Sequence, residues 1–393
     1  MPFHRSGLAI AGLLAGLCCS APTTSAHAAA TKARPGTLSA SAPLPPAFSL
    51  PDAGQSARIT YLSTNGVTDR GLVPVTAEVI LPAGKPPAGG WPVVAWAHGT
   101  VGVADHCAPS GNPWTERNRR YLSEWMKRGF AVVGTDYQGL GTPGAHAYLD
   151  TRVEAYSLLD GVRAALAGFP ELQNRIMIVG QSQGGGAAFA AAAFAPGYAP
   201  ELNIRGTVAT GAPYVTPELL QQMTARDQAQ GGYNPVMVYV LYLAQGLAGH
   251  DSAFRPEDTF TPKAMPAYQA AAGLCVHELT EKVRQDGLNF SNSLKPDFLR
   301  TLAPALVAMK YPTMKLPQPL FMGTGELDRD VPPSLQLGLV KAACAAGTVV
   351  QAHVYKGLNH DQTVNASLPD SAAFTAAVMA GQPVAPQCDP APQ

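Results

Sequence analysis

The stretch Gly180-Gln181-Ser182-Gln183-Gly184 stands between an apolar run, Ile176-Met177-Ile178-Val179, and a run of small residues, Gly185-Gly186-Ala187-Ala188-Phe189-Ala190-Ala191. The first run reads as a buried strand and the second as a helix. A chain that passes from one to the other within five residues must turn sharply. Glycine two residues to either side of Ser182 removes the Cβ atoms that would collide as strand and helix converge. The predicted result is a serine held in a strained conformation, lifted clear of a sheet, with the first amides of a helix beside it. The string alone is weak evidence in a chain with 39 glycines among 393 residues, so its surroundings carry the reading.

Those surroundings alternate. Residues 58–63 and 75–81 read as an opening strand pair, and 92–97 as a continuous apolar strand that ends in His98-Gly99-Thr100. A helix is expected over 117–128, a strand over 130–135, a helix over 153–169 and, after the serine turn, a strand over 204–210. Strands that are apolar throughout and alternate with helices predict an α/β fold, a mostly parallel central sheet with helices on both faces. Ligands of such sheets bind beyond the carboxyl ends of the strands, where His98, Asp136 and Ser182 all fall.

The alternation stops near Pro213 and resumes with Pro319-Leu320-Phe321-Met322-Gly323. The interval reads as helical, with start signals at Asn234-Pro235 and Thr261-Pro262, each an N-cap followed by proline. The expected organisation is a core of 56–213 and 317–393 with an inserted helical cap, or lid, over 214–316. The most apolar part of the cap, 236–244, reads as its buried core in preference to an acyl-binding wall.

Before the core, a short positive region, an apolar stretch from Gly7 to Leu17 and the sequence Ala26-His27-Ala28 read as a secretory signal peptide over 1–28. Residues 29–55, rich in Ala, Pro, Ser and Thr, read as a mobile or draped leader. The apolar stretch is too short to span a bilayer, so no stable membrane insertion is expected. With 27 basic and 27 acidic residues, nothing attracts the chain to nucleic acid. Charged residues are 14% of the chain against about 25% on average, which suits an enzyme that handles apolar or polymeric substrates. A monomer is expected. Outside the signal segment the cysteines are Cys107, Cys275, Cys344 and Cys388, an even number that suits two disulfides in an oxidising compartment. Of the three pairings open to four cysteines, Cys107 with Cys275 and Cys344 with Cys388 are preferred. No spacing resembles a zinc site.

A serine hydroxyl is a poor nucleophile at neutral pH and needs an imidazole to take its proton and a carboxylate to hold that imidazole. After the strand that ends near Gly323 comes Thr324-Gly325-Glu326-Leu327-Asp328-Arg329-Asp330-Val331-Pro332. Its position in that loop selects Asp328 as the acid over Asp330 and Glu326. The last strand, 349–355, is followed by Lys356-Gly357-Leu358-Asn359-His360, which places His360 as the base. His146, His250, His277 and His353 read as surface or structural residues. Negative charge on a tetrahedral intermediate would fall to the backbone N–H of Gln183 and to Thr100, with His98 shaping that loop and Asp136 structural.

Three pieces, Ala97-His98-Gly99-Thr100 leading to Asp105-His106-Cys107-Ala108-Pro109-Ser110, then Asp136-Tyr137-Gln138-Gly139-Leu140-Gly141, then the serine turn, together resemble the secretory lipase family, which includes the yeast lipase A type. The resemblance covers most of the chain beyond the signal segment. It implies an α/β-hydrolase fold with a helical cap, a Ser182, Asp328, His360 triad, no cofactor or metal, and hydrolysis of small-molecule or lipid carboxylic esters. It also supports pairing Cys107 with Cys275. In the yeast type an acidic side chain helps form the oxyanion hole, whereas no acid stands around Thr100. Competing readings are a secreted serine peptidase of the same superfamily, a polyester or aromatic diester hydrolase, and a catalytically silent binding protein on the same fold.

Overall fold

The computed structural model describes residues 1–4, 7–9, 33–216, 218–220, 223 and 232–392. Met1–Ala33 and Arg34–Gln393 are separate units. The described residues of the first unit are exposed and carry no secondary structure, and the expected cleavage point after Ala28 lies outside the described residues. Among the described residues no helix is long and apolar enough to cross a membrane.

The second unit is built on one nine-stranded sheet in the order β1-β2-β3-β5-β4-β6-β7-β8-β9. Its strands are β1 Thr37–Pro43, β2 Ala53–Thr64, β3 Leu72–Pro82, β4 Trp91–Ala97, β5 Ala131–Thr135, β6 Leu172–Gln181, β7 Ile204–Thr210, β8 Leu320–Gly325 and β9 Val350–Tyr355. Pairing is antiparallel from β1 through β3 to β5 and parallel across the other six strands. The expected strands are all present.

Apolar residues on successive positions serve two faces because strand side chains alternate. Val93, Ala95, Ile176 and Ile178 face a cluster with α2 (Thr151–Gly168) and α3 (Gln183–Tyr198). Val94, Trp96, Met177 and Val179 face α1 (Glu116–Lys127) and the C-terminal chain. Caps fix the helix starts. The Thr115 side chain accepts from Asn118 N at 3.3 Å, and Asp150 accepts from Arg152 N and Val153 N.

One correction concerns 29–55. Its composition suggests a draped leader, yet residues 37–43 form β1, paired antiparallel with β2. An edge strand needs backbone partners on one side only, so Ala, Ser and Pro43 are tolerated there. Leu38 packs against the core, and Leu44 and Leu50 are buried.

Between β7 and β8 lie α4 (Val236–His250), α5 (Met265–Ala271), α6 (Val276–Gln285) and α7 (Ala303–Ala308), with single helical turns at Pro256–Thr259, Phe290–Ser293 and Phe298–Thr301. They close on their own apolar cluster, which includes Met237, Leu241, Tyr242, Leu279 and Val283. A second correction arises here. Thr261-Pro262 opens a turn, and the helix starts at Met265. The Thr261 hydroxyl is held outside the segment, donating to Asn292 O at 2.7 Å, and no side chain caps the helix that follows. After β8 come α8 (Pro333–Ala345), α9 (His360–Ala366) and α10 (Leu368–Met379). Cys107 is bonded to Cys275, with Cα atoms 5.6 Å apart, and Cys344 to Cys388, 6.1 Å apart, as the preferred pairing has it.

Glu78 is fully buried on β3, and neither carboxylate oxygen has a hydrogen-bond partner among the described residues. Burial first, then the charge of Asp136, pushes its carboxyl well above the usual range, against the attraction of Arg58. A raised folded-state value means that folding retains a proton which the unfolded chain releases. Stability is therefore fully present below the unfolded carboxyl range and is lost as pH rises above it. Glu78→Gln removes this dependence, so the stability of the variant relative to the parent rises with pH above the ordinary carboxyl range. Urea melts from pH 5 to 8 check this, and parallel curves for the two proteins would contradict it.

Candidate active site

The sheet's connection order reverses at β4, whose neighbours are β5 on one side and β6 on the other. Such a reversal opens a crevice beyond the carboxyl ends of the strands. Ser182 follows β6 directly and sits at φ 61°, ψ −125°, a left-handed backbone conformation that costs a non-glycine residue of order 1–3 kcal/mol. Its neighbours hold it there. Ser182 N donates to Thr210 O on β7 at 2.8 Å, and Ser182 O accepts from Gly186 N at 3.1 Å. A Cβ at Gly180 would stand 1.9 Å from Gly184 O, and one at Gly184 would stand 1.9 Å from Ala97 O. Only glycine fits at either position, which is the geometric content of the motif.

His360 is the first residue of α9, with Asn359 as its N-cap, and Gly357 (φ 69°) turns the preceding loop. His360 is 8% exposed and Asp328 4%. Their side chains meet, with Nδ1 2.6 Å from Asp328 Oδ2. The other Asp328 oxygen accepts from Asp330 N and Val331 N at 2.9 Å each, and Gln336 Nε2 donates to Oδ2 at 2.8 Å. The carboxylate is thus fixed on four sides. Burial disfavours the charged imidazole, but the hydrogen bond and charge of Asp328 outweigh it and raise the His360 value above its ordinary 6.5. The ring lies over the serine turn. A Cβ at Gly211 would come within 2.7 Å of His360 Cε1 and 3.6 Å of Ser182 N. The His360 Nε2 atom is 2.8 Å from Gln181 Nε2, a contact the motif string does not announce.

The structure separates the rival acids from His360. Asp330 accepts from Tyr239 OH at 2.5 Å, and Glu326 accepts from Gly357 N at 2.8 Å. Gln183 opens α3, so its backbone N–H has no partner inside the helix. Thr100 shares a groove with Ser182 and His360; its hydroxyl pairs with Tyr148 OH at 2.5 Å, and its backbone N–H has no backbone partner among the described residues. His98 is buried, with Nδ1 2.7 Å from Gly99 O and its ring against Tyr137. Burial lowers its value, so it remains neutral and shapes the loop. Asp136 accepts from Thr76 Oγ1 at 2.6 Å and Ser110 N at 2.9 Å, partners that tie the loop after β5 to the sheet.

Two spaces meet at Ser182. One is an apolar chamber of about 100 Å³ that runs under the helical segment, lined by Val236, Val240, Leu243, Leu302 and Met309. The other is a wider groove of about 830 Å³ with a mixed wall that includes Thr100, Arg117, His277, Arg329 and Asn359. α4 presents one face to the helical cluster and another to the chamber. Met237, Leu241 and Tyr242 pack inward, while Val236, Val240 and Leu243 face the chamber.

Sequence reading also missed Glu154 and the side chain of Gln183. Glu154, buried on α2, accepts from Gln183 Nε2 at 2.8 Å. The only sequence signal was an acidic residue in a helix whose inward positions are mostly apolar or small, with Asp160 as a second buried acid.

The secretory lipase family model matches residues 114–241. Among solved structures, lipase A of Candida antarctica in its closed state superimposes with a TM-score of 0.72 at 22% identity, covering 92% of this chain and 86% of that one. A putative hydrolase from Legionella pneumophila gives 0.68 at 20% identity, over 84% and 90%. The rice cell wall degrading esterase LipA from Xanthomonas oryzae gives 0.67 at 17% identity, over 87% and 97%. No curated protein matches the sequence. The secretory lipase match runs from α1 through the serine turn into α4, about a third of the chain, and the superpositions show that the whole sheet has the α/β-hydrolase fold of these lipases and esterases.

Proposed function

We propose that the protein is a secreted lipase or esterase that cleaves its substrate through an acyl-enzyme on Ser182. The observation that carries this reading is a strained serine beside a buried His360–Asp328 pair, at the mouth of an apolar chamber. His360 Nε2 takes the Ser182 proton as Oγ attacks the ester carbonyl, and Asp328 keeps the other proton on Nδ1 and stabilises the imidazolium. The backbone N–H groups of Gln183 and Thr100 receive the oxyanion. His360 then protonates the departing alcohol, and a water attacks the acyl-enzyme by the same route. The acyl chain occupies the apolar chamber and the alcohol leaves through the mixed groove. Residues 214–316 serve as the cap. Two disulfides and the leading apolar segment suit secretion.

The chamber makes a quantitative claim. Each CH₂ buried contributes about 0.8 kcal/mol, so kcat/KM for 4-nitrophenyl esters rises about fourfold per methylene until the chamber is full. Val240→Trp fills the chamber, and the rise stops at a shorter chain. Assaying a chain-length series beside aminoacyl amides and an emulsified triglyceride tests the class. Faster cleavage of the amides would overturn the ester reading, and no shift of the optimum in the variant would overturn the chamber as the acyl site.

The base predicts a pH profile. His360 must be neutral to act, so kcat/KM falls as pH drops through its raised value, with a midpoint above the ordinary 6.5. A rate that holds flat down to pH 5 would rule His360 out.

A further inference from the structure

We infer that Glu154 is a positioning residue for the hydrolysis, one buried carboxyl group that holds both sides of the oxyanion hole in register. This rests on the reading of Gln183 and Thr100 as the oxyanion donors. Glu154 Oε1 accepts from Gln183 Nε2 at 2.8 Å and from Leu149 N at 3.2 Å. The first bond anchors the residue that follows Ser182. The second pins Leu149, which holds φ 63°, a left-handed conformation that a branched side chain adopts only under constraint. Tyr148 precedes it, and Tyr148 OH reaches Thr100 Oγ1 at 2.5 Å. One oxygen on α2 is thereby linked to the amide after the nucleophile and, through two residues, to the loop after β4.

The Gln183 side-chain amide spends both of its hydrogens. His146 Nδ1 donates to Gln138 O at 3.0 Å, leaving Nε2 as the acceptor for the second Gln183 Nε2 hydrogen at 3.3 Å. Burial keeps His146 neutral, lowering its value to about 4. Glu154 is 1% exposed and has no Lys or Arg partner among the described residues. Facing it are Gln183, His146, Asp150 at the start of its own helix, and the phenols of Tyr137, Tyr148 and Tyr311. Burial, with a smaller contribution from Asp150, raises its carboxyl to about 8 against the Gln183 hydrogen bond. Glu154 is therefore protonated and neutral at pH 7, and above pH 8 it places a negative charge behind the oxyanion.

The test compares Glu154→Leu and Glu154→Gln. Glu154→Leu removes the acceptor, and kcat falls about 100-fold with KM little changed, the scale of losing one oxyanion donor. Glu154→Gln keeps an acceptor oxygen and restores kcat near pH 7. It also abolishes the decline in kcat that the parent shows above pH 8. Unchanged kcat in Glu154→Leu overturns the inference, as does a parent-like alkaline decline in Glu154→Gln, which decides the matter even where the leucine variant fails to fold. If Ser182→Ala retains activity the underlying site reading has failed instead.

Discussion

Replacing Ser182 with alanine removes ester turnover, lowering kcat on the order of 10⁶-fold, with the thermal melt preserved. The size of the loss follows from the site's construction. Ser182 is the residue at φ 61° between two glycines that no other residue can replace, and it lines both spaces. Alanine has the same Cβ and the same backbone demands, so the fold has no reason to change. Only the attacking oxygen is missing. Measuring 4-nitrophenyl ester hydrolysis together with a circular dichroism melt separates chemistry from folding, and ordinary turnover in a folded variant would contradict the assignment.

Asp328→Asn lowers kcat about 10⁴-fold, and the reason lies in one oxygen. Asp328 Oδ2 accepts from His360 Nδ1 and from Gln336 Nε2. An asparagine keeps its carbonyl oxygen toward Asp330 N and Val331 N and so places an NH₂ group against two donors. His360 relieves the clash by moving its proton to Nε2, the atom that must accept from Ser182. Asp330→Asn and Glu326→Gln touch Tyr239 and Gly357 instead, so they change kcat far less. Equal losses in the three variants would show that the loop, and not the Asp328 carboxylate, is what matters.

The parts of the fold that were legible in the sequence are those set by local physics. Apolar strands such as 92–97 and 204–210 are visible because they are buried on both faces, and the glycines of the serine turn are visible because a strand passes into a helix within five residues. β1 was hidden because an edge strand is held by backbone bonds that leave no side-chain pattern. The helix start at Thr261 was misplaced because the hydroxyl meets Asn292, thirty-one residues away. In the site, chain order pointed to Ser182, Asp328 and His360, and the structure brings Asp328 and His360 into contact over the serine turn. The contacts of Gln181, Gln183 and Glu154 are tertiary, between residues that carry no spacing relation, so no motif could announce them.

The most direct measurement is the intact mass of the protein after reaction with a fluorophosphonate, followed by mapping of the modified peptide. An activated serine takes up one phosphonyl group, on Ser182, at a rate that falls when Asp328 is changed to Asn. Ser182→Ala takes up none. A label on any other residue, or equal labelling of the alanine variant, would contradict the account.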